Sequence, residues 1–318
     1  MDGFVSFISM SLNLAAAFAF GCTGETITEK SGHLNMGIPG IMCLGMCGAV
    51  IGCNTYLLFG VQNGFLAIFF TLLFSLLLSA LGGLLFSFFT VTLNCNQNVT
   101  GLTLTTFGIG VESFVMATIG QKGGFTTVSQ NYFQHLFGEK IANANGFTQL
   151  FLSYGFLFYL AIILAVVSTL IMKKTRIGLN LRACGENPSC ADAAGINVQR
   201  YRYIATIIGA MIAGLGGTFL FMNHFKGALE FDVSSYGWLA VALVIFTMWN
   251  PSIGLAGSFL FAMLYCAPSF FSFGTYGKLA SAIPYLITIL VLIVTSIFNK
   301  KEGQAPAGLG LAYFREDR

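Results

Sequence analysis

From residue 65 to residue 89 the chain carries no charge and is dominated by leucine and phenylalanine. A helix needs about 20 apolar residues to cross the ~30 Å hydrocarbon core of a bilayer, and this run exceeds that. Further long apolar runs occupy residues 4–22, 36–59, 99–119, 147–172, 201–222, 252–271 and 283–298. A lipid-exposed backbone must satisfy its own polar groups, so runs of this length fold as helices. No alternation of the β-barrel kind is present. Residues 236–249 form one more apolar run, too short for an ordinary span and stopped by Asn250-Pro251. It reads as a broken or re-entrant helix. The expectation is an all-α polytopic membrane protein, one transmembrane domain over residues 1–318. Nine crossings are expected, or eight or ten if residues 23–35 or 236–249 re-enter.

Composition closes off the soluble alternatives. Only 8% of residues are charged, against about 25% in soluble domains. Too little polar surface exists to wet a globule of this size. The 38 glycines suit close helix packing. Gly45 and Ala49, Gly48 and Gly52, and Gly209, Ala213 and Gly217 recur at four-residue spacing, which predicts small-residue packing faces. The fourth run carries Thr100, Thr103, Thr105, Thr106 and Glu112, which predicts an interior helix. The third is expected to be the most lipid-exposed. The eight cysteines include no C-x-x-C, and most lie in or beside apolar runs, as small buried hydrophobes do. Cys43 and Cys47 share a helix face but lack histidine neighbours. No metal site, resident cofactor or nucleic-acid-type basic run is expected. His33, His135 and His224 belong to no triad or ligand set. The N-terminal run lacks a basic lead and a small-residue cleavage site, so it reads as the first span.

Charge placement sets the orientation. Residues 173–202 carry Lys173, Lys174, Arg176, Arg182, Arg200 and Arg202 against Glu186 and Asp192. Short basic loops stay cytoplasmic. The tail, residues 299–318, carries Lys300, Lys301, Arg315 and Arg318 and falls on the same side. The N-terminus then lies outside. Within the loop, Asn187 suits an N-cap and Pro188 the first helical position. Residues 189–194 are compact, and Gly195 suits a helix stop. This short capped helix is either a docking element or an ordinary solvated connector.

Other polar residues interrupt the apolar pattern. Glu25, Glu29, Lys30 and Asn35 form one cluster, read as a structured gate or as a solvated connector. Asn94, Asn96, Gln97 and Asn98 open the fourth run and either line a polar path or cap a helix. Glu112 lies inside that run, where a carboxylate is expensive and is a functional candidate by default. The bland alternative is a bond to a neighbouring helix. Asn35, Asn96, Gln97 and Glu112 are the candidates for a translocation path or gate. No G-x-x-x-x-G-K-[ST] occurs, so nothing here cradles ATP in the P-loop manner.

Residues 182–203 (RACGENPSCADAAGINVQRYRY) resemble the coupling loop of permease subunits of bacterial ABC importers, the branch with ribose, branched-chain amino-acid and nucleoside permeases. Residues 25–40 (ETITEKSGHLNMGIPG) are similar to that family's E-x-x-x-E-R-x-G-x-x-N-x-G-x-E-G signature. Residues 93–101 (LNCNQNVTG), 237–251 (GWLAVALVIFTMWNP) and 305–316 (APAGLGLAYFRE) resemble three more of its segments, in order along the chain. Pro39 stands where the family usually has Glu, and is expected to kink the second span.

The resemblance implies a permease that performs no covalent chemistry, in a bacterial plasma membrane. Its implied partners are an ABC ATPase that holds ATP and magnesium, a second related permease, and an extracytoplasmic binding protein, besides membrane lipid. The implied coupling residues are Arg182, Glu186, Asn187, Pro188, Asp192, Ala194 and Gly195. The implied cargo is a nucleoside, with simple sugars or another ring-bearing small molecule behind. The rival reading, an ion-gradient-driven secondary transporter, needs a coupling carboxylate, and Glu112 is its one strong candidate.

Overall fold

The computed structural model of the chain describes residues 2–120, 123–137, 146–229, 232–270, 286, 289, 293 and 305–314. Every described element is helical. They are α1 (Asp2–Lys30), α2 (Ile38–Leu58), α3 (Gly64–Ser87), α4 (Gln97–Thr118), α5 (Phe125–Tyr132), α6 (Gly146–Phe151), α7 (Phe156–Lys174), α8 (Arg176–Glu186), α9 (Pro188–Ala193), α10 (Val198–Phe219), α11 (Val233–Phe246) and α12 (Pro251–Phe270). A π-helical turn extends α3 over Phe88–Thr92 and α10 over Leu220–His224. Seven described helices are long and apolar enough to cross a membrane, and α11 is apolar but shorter. The chain is thus a multi-pass membrane protein. The expected crossing at 283–298 lies outside the described residues except for Leu286, Ile289 and Ile293. The tail charges Lys300, Lys301, Arg315 and Arg318 lie outside them too.

Helices α2 and α10 form the centre of the bundle, with α1, α3 and α11 against them. Glycine makes this possible. A Cβ at Gly45 would overlap the backbone of Gly214, so α2 and α10 touch main chain to main chain there. Gly48 and Gly52 turn instead to α3, against the backbone at Phe74 and Phe70. The expected face on α2 is therefore two faces. On α10, Gly209 meets Gly24 and Thr28 of α1, whereas Gly217 meets Met42 of α2. The segment Gly64–Thr92 has the smallest buried share among the described spans, as its composition predicts.

Three expectations need correction. Residues 23–30 are neither a connector nor a re-entrant loop: α1 runs on through them to Lys30, and Glu25 and Glu29 are buried. Pro39 does not kink α2. It sits in the first turn, where a missing amide costs nothing, and packs on Gly237 of α11. Helix α4 is peripheral. It turns Thr105 and Glu112 inward but leaves Thr103 and Thr106 exposed.

The basic loop defines one end of the bundle, the end that the positive-inside rule expects on the cytoplasmic side. At the opposite end the π turn of α10 frees main-chain groups. Ser129 and Gln134 donate to the Met222 carbonyl there, and Asn223 Nδ2 donates to the Phe133 carbonyl at 2.7 Å.

Candidate functional site

The basic end gathers four pieces: the α7–α10 connection, the α1–α2 turn, the start of α4, and residues 305–314.

The connection folds as its residues dictate. Thr175 caps α8, its hydroxyl accepting from Gly178 N at 3.1 Å. Asn187 ends α8 and caps α9, with Oδ1 accepting from Cys190 N at 3.0 Å. Pro188 opens α9. Gly195 takes φ 83°, which favours glycine, and ends the element. Asn197 then caps α10. Ser189, Cys190, Ala193, Ala194 and Gly195 stay exposed, so α9 presents a small, mostly uncharged face to solvent. Arg182 is exposed and its Nε donates to Gly178 O of its own helix, at 3.4 Å.

The two acidic residues of the loop turn toward the chain itself. Glu186 Oε2 accepts from Ala307 N at 3.1 Å, and Asp192 Oδ2 accepts from the Tyr313 hydroxyl at 2.8 Å. Gly308 N donates to Gly185 O at 2.8 Å, and Gly310 N to Gly32 O at 3.2 Å. Tyr313 also packs on the small cluster of Cys184, Ala191 and Val198. Residues 305–314 therefore lie along α8 and α9 and cross to the α1–α2 turn.

Behind this strap lies a buried polar layer. Asn35 N donates to Glu25 Oε1 at 3.2 Å, and Asn35 Oδ1 accepts from Gly37 N at 2.9 Å. Trp249 Nε1 donates to Glu29 Oε2. Gln97 is buried: its Oε1 accepts from Leu34 N at 2.8 Å and its Nε2 donates to Leu311 O at 3.4 Å. Arg202 is buried as well and donates through Nη1 to Leu311 O at 3.3 Å. His33 Nδ1 pairs with Thr206 Oγ1 at 3.1 Å. Burial, with the Arg202 charge nearby, holds His33 well below the usual histidine range, so it stays neutral.

The four path candidates separate. Asn35 and Gln97 meet in this layer. Asn96 is exposed and caps α4, accepting from Asn98 N and Val99 N. Glu112 lies roughly 22 Å along α4 from Gln97 by helical rise. Its Oε1 accepts from Val233 N at 3.5 Å, at the start of α11. A carboxylate there complements the positive end of the helix, which is the bland alternative in structural form. Sequence reasoning noticed Glu25, Glu29 and the W-N-P segment but did not pair them, because nothing local links residues 220 apart. Tyr313 carried no signal beyond the resemblance of its segment.

The chain is 28% identical to the guanosine ABC transporter permease protein NupQ of Bacillus subtilis, over 98% of this chain and 97% of that one. It is 29% identical to the nucleoside ABC transporter permease protein NupC of Lactococcus lactis, over 93% and 92%. NupB of that same organism, also a nucleoside ABC transporter permease protein, matches at 34% over 33% of this chain and 29% of its own. Residues 7–294 match the family described as branched-chain amino acid transport system / permease component. A bundle of apolar spans, with a capped helix exposed on its basic face and a match over most of its length, belongs to that family of ABC transporter permeases.

Proposed function

We propose that this chain is the membrane-spanning subunit of an ATP-driven nucleoside importer in a bacterial plasma membrane. The observation that carries the cargo is the near-full-length similarity to a guanosine permease and a nucleoside permease. Two nucleoside permeases of one organism, NupB and NupC, both resemble this chain. That supports a pair of related permeases with the path between them. An ABC ATPase docks on α9 from the cytoplasm and hydrolyses ATP, and an extracytoplasmic binding protein delivers the nucleoside.

The form of α9 supports this docking. It is short, capped at both ends and exposed, so it moves as a unit when pushed. Glu186, Asn187, Pro188, Asp192, Ala194 and Gly195 build and hold it, and Arg182 lies exposed on the adjoining α8, open to the ATPase. Glu186 and Asp192 act inward, through Ala307 and Tyr313, rather than as contacts to the ATPase. Asn35 and Gln97 belong to the cytoplasmic gate. The role of Glu112 as a helix-end partner weakens the gradient-driven rival, which needs it free to exchange protons.

The test is guanosine uptake into proteoliposomes holding this chain with its co-expressed partners. Uptake that needs ATP and survives an uncoupler is the expected result. Uptake without ATP, collapsing with the uncoupler, refutes the importer reading. ATP-driven uptake of sugars but not guanosine refutes the cargo alone.

A further inference from the structure

Residues 305–314 bond to both the coupling element and the spans. Both ends are bonded to the coupling element: Ala307 to Glu186 and Gly308 to Gly185 at one, Tyr313 to Asp192 at the other. The middle is bonded to the spans: Gly310 N to Gly32 O in the α1–α2 turn, and Leu311 O to both Gln97 of α4 and Arg202 of α10. Gln97 passes the connection on, since its other side-chain atom holds Leu34 N. Asp192, Tyr313, Leu311, Gln97 and Leu34 thus form a continuous chain of bonds from α9 to the α1–α2 turn.

Two features show that the segment is seated rather than draped. A Cβ at Gly308 would stand 2.7 Å from Gly185 O and 3.4 Å from Pro188 Cδ, so only glycine allows this approach. Gly310 takes φ 78°, a turn that aims Leu311 back at the spans. Arg202 adds a further constraint. It is 2% exposed, and its Nε and Nη2 find no acceptor among the described residues. The Leu311 carbonyl is therefore a costly acceptor for this buried cation to lose.

We propose that segment 305–314 is the link that carries displacement of α9 to the α1–α2 turn and the start of α4. Tyr313 is the positioning residue that fastens it to α9. The inference rests on the reading of α9 as the ATPase-coupling helix. Without the link, α9 still moves with α8 and α10, to which it is joined covalently. Helix α8 itself touches the α1–α2 turn, with Gly185 against Lys30 O and Gly32; the link adds a hydrogen-bonded route from α9 to that turn and to α4 at Gln97.

The test uses the whole complex in proteoliposomes and reads guanosine taken up per ATP hydrolysed. Tyr313→Phe removes only the hydroxyl. It is expected to keep the ATPase bound and hydrolysing, while uptake per ATP falls about tenfold, the scale of one charge-assisted hydrogen bond. Gln97→Met breaks the other end of the link, and the same fall is expected. The double variant is expected to be no worse than either single one, since both cut one connection. Unchanged uptake per ATP in Tyr313→Phe overturns the proposal. So does a fall in Tyr313→Phe that Gln97→Met does not share, which makes the bond local. Loss of the ATPase from Tyr313→Phe overturns it too, because the segment then builds the docking face. A wild-type complex that retains no ATPase refutes the importer reading itself, which is a different result from any of these.

Discussion

The indole of Trp249 donates its N–H to the carboxylate of Glu29, joining the α11–α12 turn to the inner end of α1. Met248 and Trp249 hold that turn with φ of 52° and 54°, two successive left-handed residues that are not glycine. Such residues cost about 1–3 kcal/mol each and persist where surrounding bonds over-determine them. Glu29 is one such bond, and Glu25 beside it ties the layer to Asn35. The W-N-P segment and the paired glutamates are thus two halves of one contact.

Removing the acceptor has a defined cost. Glu29→Ala is expected to destabilise the detergent-purified protein by about 2–4 kcal/mol, from the lost bond and the stranded indole N–H. Glu29→Gln, which keeps an acceptor oxygen, should lose less than half of that. Thermal unfolding followed by tryptophan fluorescence reads it, since Trp249 is one of two tryptophans. Equal loss in both variants would mean the carboxylate charge, not the acceptor, holds the turn.

Glu112 separates the two transport mechanisms. In Glu112→Gln the carboxamide oxygen still meets Val233 N, so ATP-driven uptake should stay within about twofold of wild type, the range of a retained neutral hydrogen bond. Glu112→Leu strands the amide and should cost about 1–3 kcal/mol of stability. Abolition of uptake by Glu112→Gln in a stable protein would instead identify it as a proton-coupling group.

The approach of α2 to α10 at Gly45 leaves no room for a side chain. Gly45→Val should therefore force the two central helices apart. Overpacking of this kind costs about 1–3 kcal/mol, and more where backbone is the obstacle. Low yield and a broadened gel-filtration peak are expected. The same change at Gly110, which has open space around it, should leave both normal.

His33 makes the fold sensitive to acid. Its folded value lies well below the ordinary one, because burial and Arg202 disfavour its charge. The unfolded histidine takes up a proton near pH 6.5 while the folded one does not, so stability falls as pH drops through that value. The slope contributed is at most about 1.4 kcal/mol per pH unit. Melting temperatures measured from about pH 7 to 5 should fall more steeply for wild type than for His33→Gln. Parallel profiles would assign the acid sensitivity to another group.

Local signals in the sequence were strong wherever chemistry and structure lie within a few residues. Asn187, Pro188 and Gly195 spell out α9, and the helix appears with those caps. The apolar run 236–249 read as shorter than an ordinary span, and the helix there, α11, has 14 residues. The signals failed where a residue's partner is remote. Glu25 and Glu29 read as a structured gate or as a solvated connector, the latter because acidic residues usually mark water; here α1 simply outlasts its apolar run and the acids find donors on Trp249 and Asn35. The threonines of α4 read as interior because polar atoms avoid lipid, yet several of them bond to their own helix four residues back, as Thr103 does to Val99 O, and stay outside.

The sequence alone determined the solvent of the chain, its helical class and the form of α9, because hydrophobic run length and capping act within one segment or one turn. Only the tertiary structure decided what those segments do to one another. It turned Asp192 and Glu186 inward onto residues 305–314, set Glu112 at the head of α11, and brought Glu29 to Trp249. The physical reason is that a buried polar group must find a partner wherever the packing places one. That partner is chosen by which glycine faces allow two helices to touch, and distance along the chain does not encode it.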